Sequence, residues 1–183
     1  MTPASTSHQT FARAETLKNG LAVTIRSLRP DDRGRVARAV ALLDPESVYT
    51  RLFSHRKELT EAGLDRIMSV DPASEIALVV TAGAGAEEAV IGSARAIESG
   101  TGAQGRTAEV AFVVEEDFQG LGIAGCLLAH LAAIARERGF AALEADVLSE
   151  NKAMLAVFAK SGLPMRKRQE GGIVHLTLAL APS

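Results

Sequence analysis

The stretch "QGLGIAG", Gln119 to Gly125, decides how the chain is read. Its Gly120, Gly122 and Gly125 satisfy G-x-G-x-x-G, the dinucleotide fingerprint. Gln119, Gly122 and Ala124 also satisfy Q-x-x-G-x-A, a second kind of pyrophosphate loop. Both spellings share one physical property. A glycine loop that opens a helix exposes backbone N–H groups with no intrahelical acceptor, and the helix dipole favours negative charge there. The plain alternative is a helix entry whose glycines serve packing only.

Working outward, "TAEVAFVVEE" (107–116) reads as a strand leading into the loop. Beyond it, Leu127, Leu128, Leu131 and Ile134 recur at helical spacing until Gly139. "AALEADVL" reads as a strand, "NKAMLAVFAKSG" as a helix closed by Gly162, and "MRKRQEGGIVHLTLAL" as a hairpin turning at Gly171–Gly172. Upstream, "AVTIRSLR" (22–29), "EIALVVTA" and "AVIGSARAIES" read as strands. "PDDRGRVARAVALL", "DPESVYTRLFS" and "LTEAGLDRIMSV" read as helices, with Asp44 and Thr60 as caps of the last two. Runs of neighbouring strands with helices between them predict an α+β fold: one domain over 21–183, with a mixed, mostly antiparallel sheet of six to seven strands flanked by helices. Residues 1–20 are expected to form a disordered tail.

This order separates the two spellings of the loop. A dinucleotide fingerprint follows the first strand of a doubly wound sheet, whereas here at least four strands precede it. Glu115, Glu116 and Asp117 stand between strand and loop. Glu144 and Asp146 lie at a tolerable distance for a ribose-binding acid, but only a helix and a hairpin follow them, too little to complete such a sheet.

The chain has 183 residues, 47% hydrophobic and 23% charged, with a net charge of −2, which argues against a nucleic-acid face. No Trp and a single Tyr leave little on which bases could stack. No apolar run approaches membrane-spanning length. Cys126 is the only cysteine, so no intramolecular disulfide forms, and a cytoplasmic setting is expected. Its leucine neighbours mark it as a small buried hydrophobe, and it is assigned no chemical role. The scattered His residues give no metal-ligand spacing.

Three pieces now carry a resemblance: "AEVAFVVEEDFQGLGIAGCLLAHLAAIARERG", "LEADVLSENKAMLAVFAKSGL", and the order of elements. From about residue 22 onward the chain resembles the GNAT superfamily of acyl-CoA-dependent N-acetyltransferases. The resemblance implies acetyl-CoA as co-substrate, no metal, and an amine acceptor attacked directly, without a covalent enzyme intermediate. It makes Gln119, Gly120, Leu121, Gly122, Ile123, Ala124 and Gly125 the pyrophosphate loop. It gives the main chain of Phe112, Val113 and Val114 to the pantetheine arm, with one N–H there polarising the thioester carbonyl. Asn151 matches the family's pantetheine-binding Asn, although Asn is equally at home as an N-cap. Phe158 falls in the cofactor site where many members place a Tyr that protonates the departing thiolate; Phe can donate nothing.

A lysine ammonium, with a pKa near 10.4, must lose a proton before it can attack. Glu109 matches the general-base Glu of histone-type members, and its other reading is an outward-facing polar residue on a half-exposed strand. Glu115 and Glu116 are either attractors of a cationic substrate or simply solvated. A narrower likeness, "DPESVYTRLFS" followed by "VDPASEIALVV", resembles the acetyltransferase domain of bacterial Pat-type protein lysine acetyltransferases. A protein lysine is therefore the expected acceptor, against a small amine or antibiotic, or a module that senses acyl-CoA without turnover. The sequence leaves the oligomeric state, a dimer included, open.

Overall fold

The computed structural model describes residues 11–43, 60–102 and 105–180. Eight strands form one sheet in the order β1-β2-β3-β4-β5-β6-β8-β7. They are β1 (Ala12–Thr16), β2 (Ala22–Ser27), β3 (Glu75–Ala82), β4 (Ala89–Gly102), β5 (Gly105–Val114), β6 (Phe140–Leu148), β7 (Met165–Glu170) and β8 (Ile173–Ala179). Every neighbouring pair is antiparallel except β5–β6. Among the described residues, four helices accompany them: α1 (Arg33–Ala41), α2 (Glu61–Met68), α3 (Ile123–Glu137) and α4 (Lys152–Ala159). The α+β reading holds, with eight strands in place of the expected six to seven.

The extra strand is β1. Residues 12–16, expected within a disordered tail, pair with β2 from Ala12↔Arg26 to Thr16↔Ala22, and Leu17 is buried in the core. The helix expected at "DPESVYTRLFS" and its cap Asp44 lie outside the described residues, as do residues 1–10. Thr60 does cap α2, its hydroxyl accepting from the Gly63 N–H at 3.0 Å.

Alternation along β5 sorts its side chains. Ala108 and Val110 enter the core beneath α3 and α4, with Phe112 and Val114 packed against them. Glu109, Ala111 and Val113 point to the opposite face. That face is covered at one end by α1 and α2. Its paired neighbours on β4 are Ile97, Arg95 and Ser93. So the sheet has a helix-packed side and a side that is partly open.

Candidate active site

Two features of the backbone meet at the centre of the sheet. β5 and β6 pair from Arg106↔Phe140 to Glu109↔Glu144 and no further, although β5 runs on to Val114 and β6 to Leu148. The strands therefore part after Glu109, and the main chain of Phe112, Val113 and Val114 lines the gap on its β5 side. Adjoining this gap, β5 leads through a short 3-10 turn into the glycine loop and α3.

The loop is built by local forces. Gly120 and Gly122 take φ of 76° and 96°, a region that glycine enters without steric cost. Gln119 closes the loop on the strand end, its Nε2 donating to the Val114 carbonyl at 3.3 Å. Leu121 and Ile123 anchor it on the core. Among the described residues, no acceptor meets the N–H groups of Gly120, Leu121, Gly122, Ile123, Ala124 or Gly125. At Gly120 and Gly125 nothing lies within 4 Å of where a Cβ would stand. Six unpartnered donors at a helix start, with room for close approach, fit a pyrophosphate.

Glu109 is exposed, and its side chain makes no hydrogen bond or ion pair among the described residues. It occupies the last paired position before the strands separate. Around it the structure assembles groups the sequence reading did not connect. Glu144 is its direct neighbour on β6 and accepts a hydrogen bond from Ser99 Oγ at 2.9 Å. Asp146, two residues further along β6 on the same face, is hydrogen-bonded to His175 of β8. The legible signal was the alternation of acids in "LEADVL"; the His partner comes from a strand that only the sheet order brings alongside.

Other expected residues are placed as follows. Asn151 caps α4, its Oδ1 accepting from the Met154 N–H at 3.0 Å, while its Nδ2 has no partner among the described residues. Phe158, expected in the cofactor site, is only 1% exposed and stacks edge-on against Phe112 at 5.9 Å between centroids. Its ring belongs to the core beneath the gap, where it meets Phe112, whose main chain lines that gap. Glu116 is exposed, whereas Glu115 is half-buried, and burial, with the charge of Asp117 second, pushes its carboxyl above the usual range. Glu115 lines the end of a groove of about 790 Å³, open mouth included, whose described walls include Val36, Val40, Ile67, Ala111 and Val113. Burial, then Glu15, raises the Cys126 thiol, which keeps it from being a ready nucleophile.

Comparison with known proteins gives a consistent result. The family described as "Acetyltransferase (GNAT) family" matches residues 42–163. An acetyltransferase of Pseudomonas aeruginosa is 31% identical over 140 residues, covering 76% of this chain and 74% of that protein. The protein named Acetyltransferase Pat of Mycolicibacterium smegmatis is 33% identical over 158 residues, which are 86% of this chain and 46% of that protein. The chain thus spans about half the length of that relative. Among solved structures, the GNAT domain of S. lividans PAT superposes with a TM-score of 0.80 at 31% identity, covering 92% of this chain and 96% of that one.

Proposed function

The chain belongs to the GNAT acetyltransferase family and uses acetyl-CoA as donor, and from this premise we propose that it acetylates the side-chain amine of a protein lysine, with Glu109 as general base. The observation that carries this reading is the exposed carboxylate of Glu109, without a partner among the described residues, at the position where β5 and β6 part. Glu109 is exposed beside Ile97, itself 43% exposed, where a side chain protruding from a folded protein can reach it. The likeness to the S. lividans PAT domain supports the same acceptor, since that is the type of domain the "DPESVYTRLFS" stretch resembles.

Acetyl-CoA supplies the acetyl group as a thioester. The chain's part is to hold and orient it. The amides of Gly120 to Gly125 donate to the pyrophosphate with the α3 dipole behind them. The main chain of β5 beyond Glu109, paired with β4 on one side and unpaired on its β6 side, takes the pantetheine arm on that open side, and Asn151 Nδ2 adds a donor from the other wall. A backbone N–H between Phe112 and Val114 stabilises the charge that grows on the thioester oxygen as the amine attacks. Glu109 takes the proton from the lysine ammonium, directly or through one water, so that a neutral amine attacks. No side-chain donor stands at Phe158. A thiol pKa near 8.5 makes the thiolate a fair leaving group without one.

The test follows free thiol release from acetyl-CoA in the presence of lysine-bearing proteins and peptides, polyamines or aminoglycosides. Turnover with the lysine substrates supports the proposal. Turnover confined to the small amines overturns the acceptor, and tight uptake of acetyl-CoA with no turnover on any amine would recast the chain as a sensor.

A further inference from the structure

We infer that Lys18 is a phosphate-binding residue for coenzyme A, presented to the glycine loop by the hairpin between β1 and β2. The inference rests on the reading of that loop as the pyrophosphate site and adds the cation the loop lacks.

The electrostatic need is plain in the sequence. "QGLGIAG" contains no charged residue, and the first turn of α3 carries no acid and no base. Immediately upstream stand Glu115, Glu116 and Asp117, whose field repels a polyanion. Coenzyme A carries a pyrophosphate and a further phosphate on its ribose. The helix dipole offers only about half a positive charge against them. A compensating cation has to come from elsewhere in the fold.

The β1–β2 hairpin brings one. Leu17 is 4% exposed and holds the turn on the core. The turn is closed by Leu17 N–H to the Leu21 carbonyl and Gly20 N–H to the Leu17 carbonyl, both at 2.9 Å. The Lys18 N–H then donates to the Leu121 carbonyl at 3.2 Å, tying the hairpin to the loop itself. The Lys18 side chain runs along Gly122, with Cε 3.6 Å and Cγ 3.9 Å from where a Cβ of that residue would stand. Its ammonium has no carboxylate partner among the described residues. The nearby Glu15 is engaged with His130 at 2.6 Å instead. A cation without a carboxylate partner among the described residues is thus carried on a fixed turn, its side chain running beside Gly122, within the loop whose amides are unpaired. Both are complementary to the same anion.

The experiment is a calorimetric titration of coenzyme A, and of pantetheine as a probe without phosphates, into wild type, Lys18→Ala, Lys18→Arg and Lys18→Glu at several salt concentrations. Lys18 is exposed, so the variants should unfold thermally as wild type does. For a partly solvated charge-assisted contact, Lys18→Ala should weaken coenzyme A binding by about three- to tenfold, with Lys18→Arg close to wild type and Lys18→Glu weaker still. The salt dependence should flatten in Lys18→Ala, and pantetheine binding should stay unchanged. Wild-type affinity and salt dependence in Lys18→Ala would overturn the assignment, as would equal losses for coenzyme A and pantetheine. Absence of coenzyme A binding by wild type would instead remove the loop reading on which the assignment stands.

Discussion

At the scale of single residues, the fold gives Glu109 solvent access, no competing side-chain partner among the described residues and a place beside the gap between strands, which are properties a base needs. Removing its charge while keeping its shape isolates that role. Glu109→Gln should lower kcat by about 10²–10⁴-fold, the range for a positioned acid or base, while acetyl-CoA binding changes little. Steady-state thiol release paired with a binding titration checks this, and undiminished kcat would remove the assignment. Glu109 was legible in the sequence because a carboxylate in the middle of "TAEVAFVV" breaks the pattern of an apolar strand. Phe158 was not. The family resemblance placed it in the cofactor site, and only packing shows that its ring meets Phe112 in the core.

At the scale of elements, the loop's position depends on how closely α3 sits on the sheet. Gly92 in β4 makes that approach possible. A Cβ there would lie 3.0 Å from Ile123 Cγ2 and 3.3 Å from the Val113 carbonyl, and Ile123 is the first residue of α3. Gly92→Val should push the start of α3 off the sheet, costing about 1–3 kcal/mol by overpacking. In a chain of this size each kcal/mol lowers Tm by about 2–4 °C. Coenzyme A affinity should fall with it, because the displaced residues carry the unpaired amides proposed to hold its phosphates. Thermal unfolding and coenzyme A titration on the same variant test the link. A stable variant with intact binding would show that the loop does not depend on this contact. The element types were readable from periodicity. The hairpin at the N-terminus escaped that reading although Asn19-Gly20 between alternating segments is a recognised turn signal.

At the scale of the whole molecule, one buried ionic cluster ties the N-terminal part of the sheet to the helix layer. Arg26 of β2, 3% exposed, forms a two-pronged pair with Asp32, 0% exposed, at 2.7 Å through both nitrogens. Asp32 also accepts from the Arg29 N–H at 2.8 Å, and Glu88 reaches Arg26 at 3.2 Å and Arg35 at 3.1 Å. Burial alone would raise the Asp32 carboxyl, but the Arg26 and Arg29 hydrogen bonds and the charges of Arg26 and Arg35 together hold it below its usual value. Its folded pKa thus lies below its unfolded one, near 3.9. The stability it contributes is therefore fully present above that value and is lost as pH falls through the folded pKa. Asp32→Asn should cost about 3–5 kcal/mol at neutral pH, since it strands the Arg26 charge in the interior. The variant's stability should also fall less steeply in acid than wild type does. Denaturant unfolding from pH 7 down to pH 3 measures both; parallel curves for the two proteins would show that Asp32 is not the responsible group.

The sequence by itself determined the α+β class, the place of most elements and the glycine loop that opens α3. These rest on short-range physics: side-chain alternation, helical period, glycine φ angles and the unpaired amides of a helix start all lie within a few residues of one another. What only the tertiary structure decided is everything that depends on residues far apart in the chain. The company of Glu144, Asp146 and His175 on the face of Glu109, the burial of Phe158 and the arrival of Lys18 at the glycine loop all follow from strand order and packing. No local pattern encodes a neighbour that the sheet supplies.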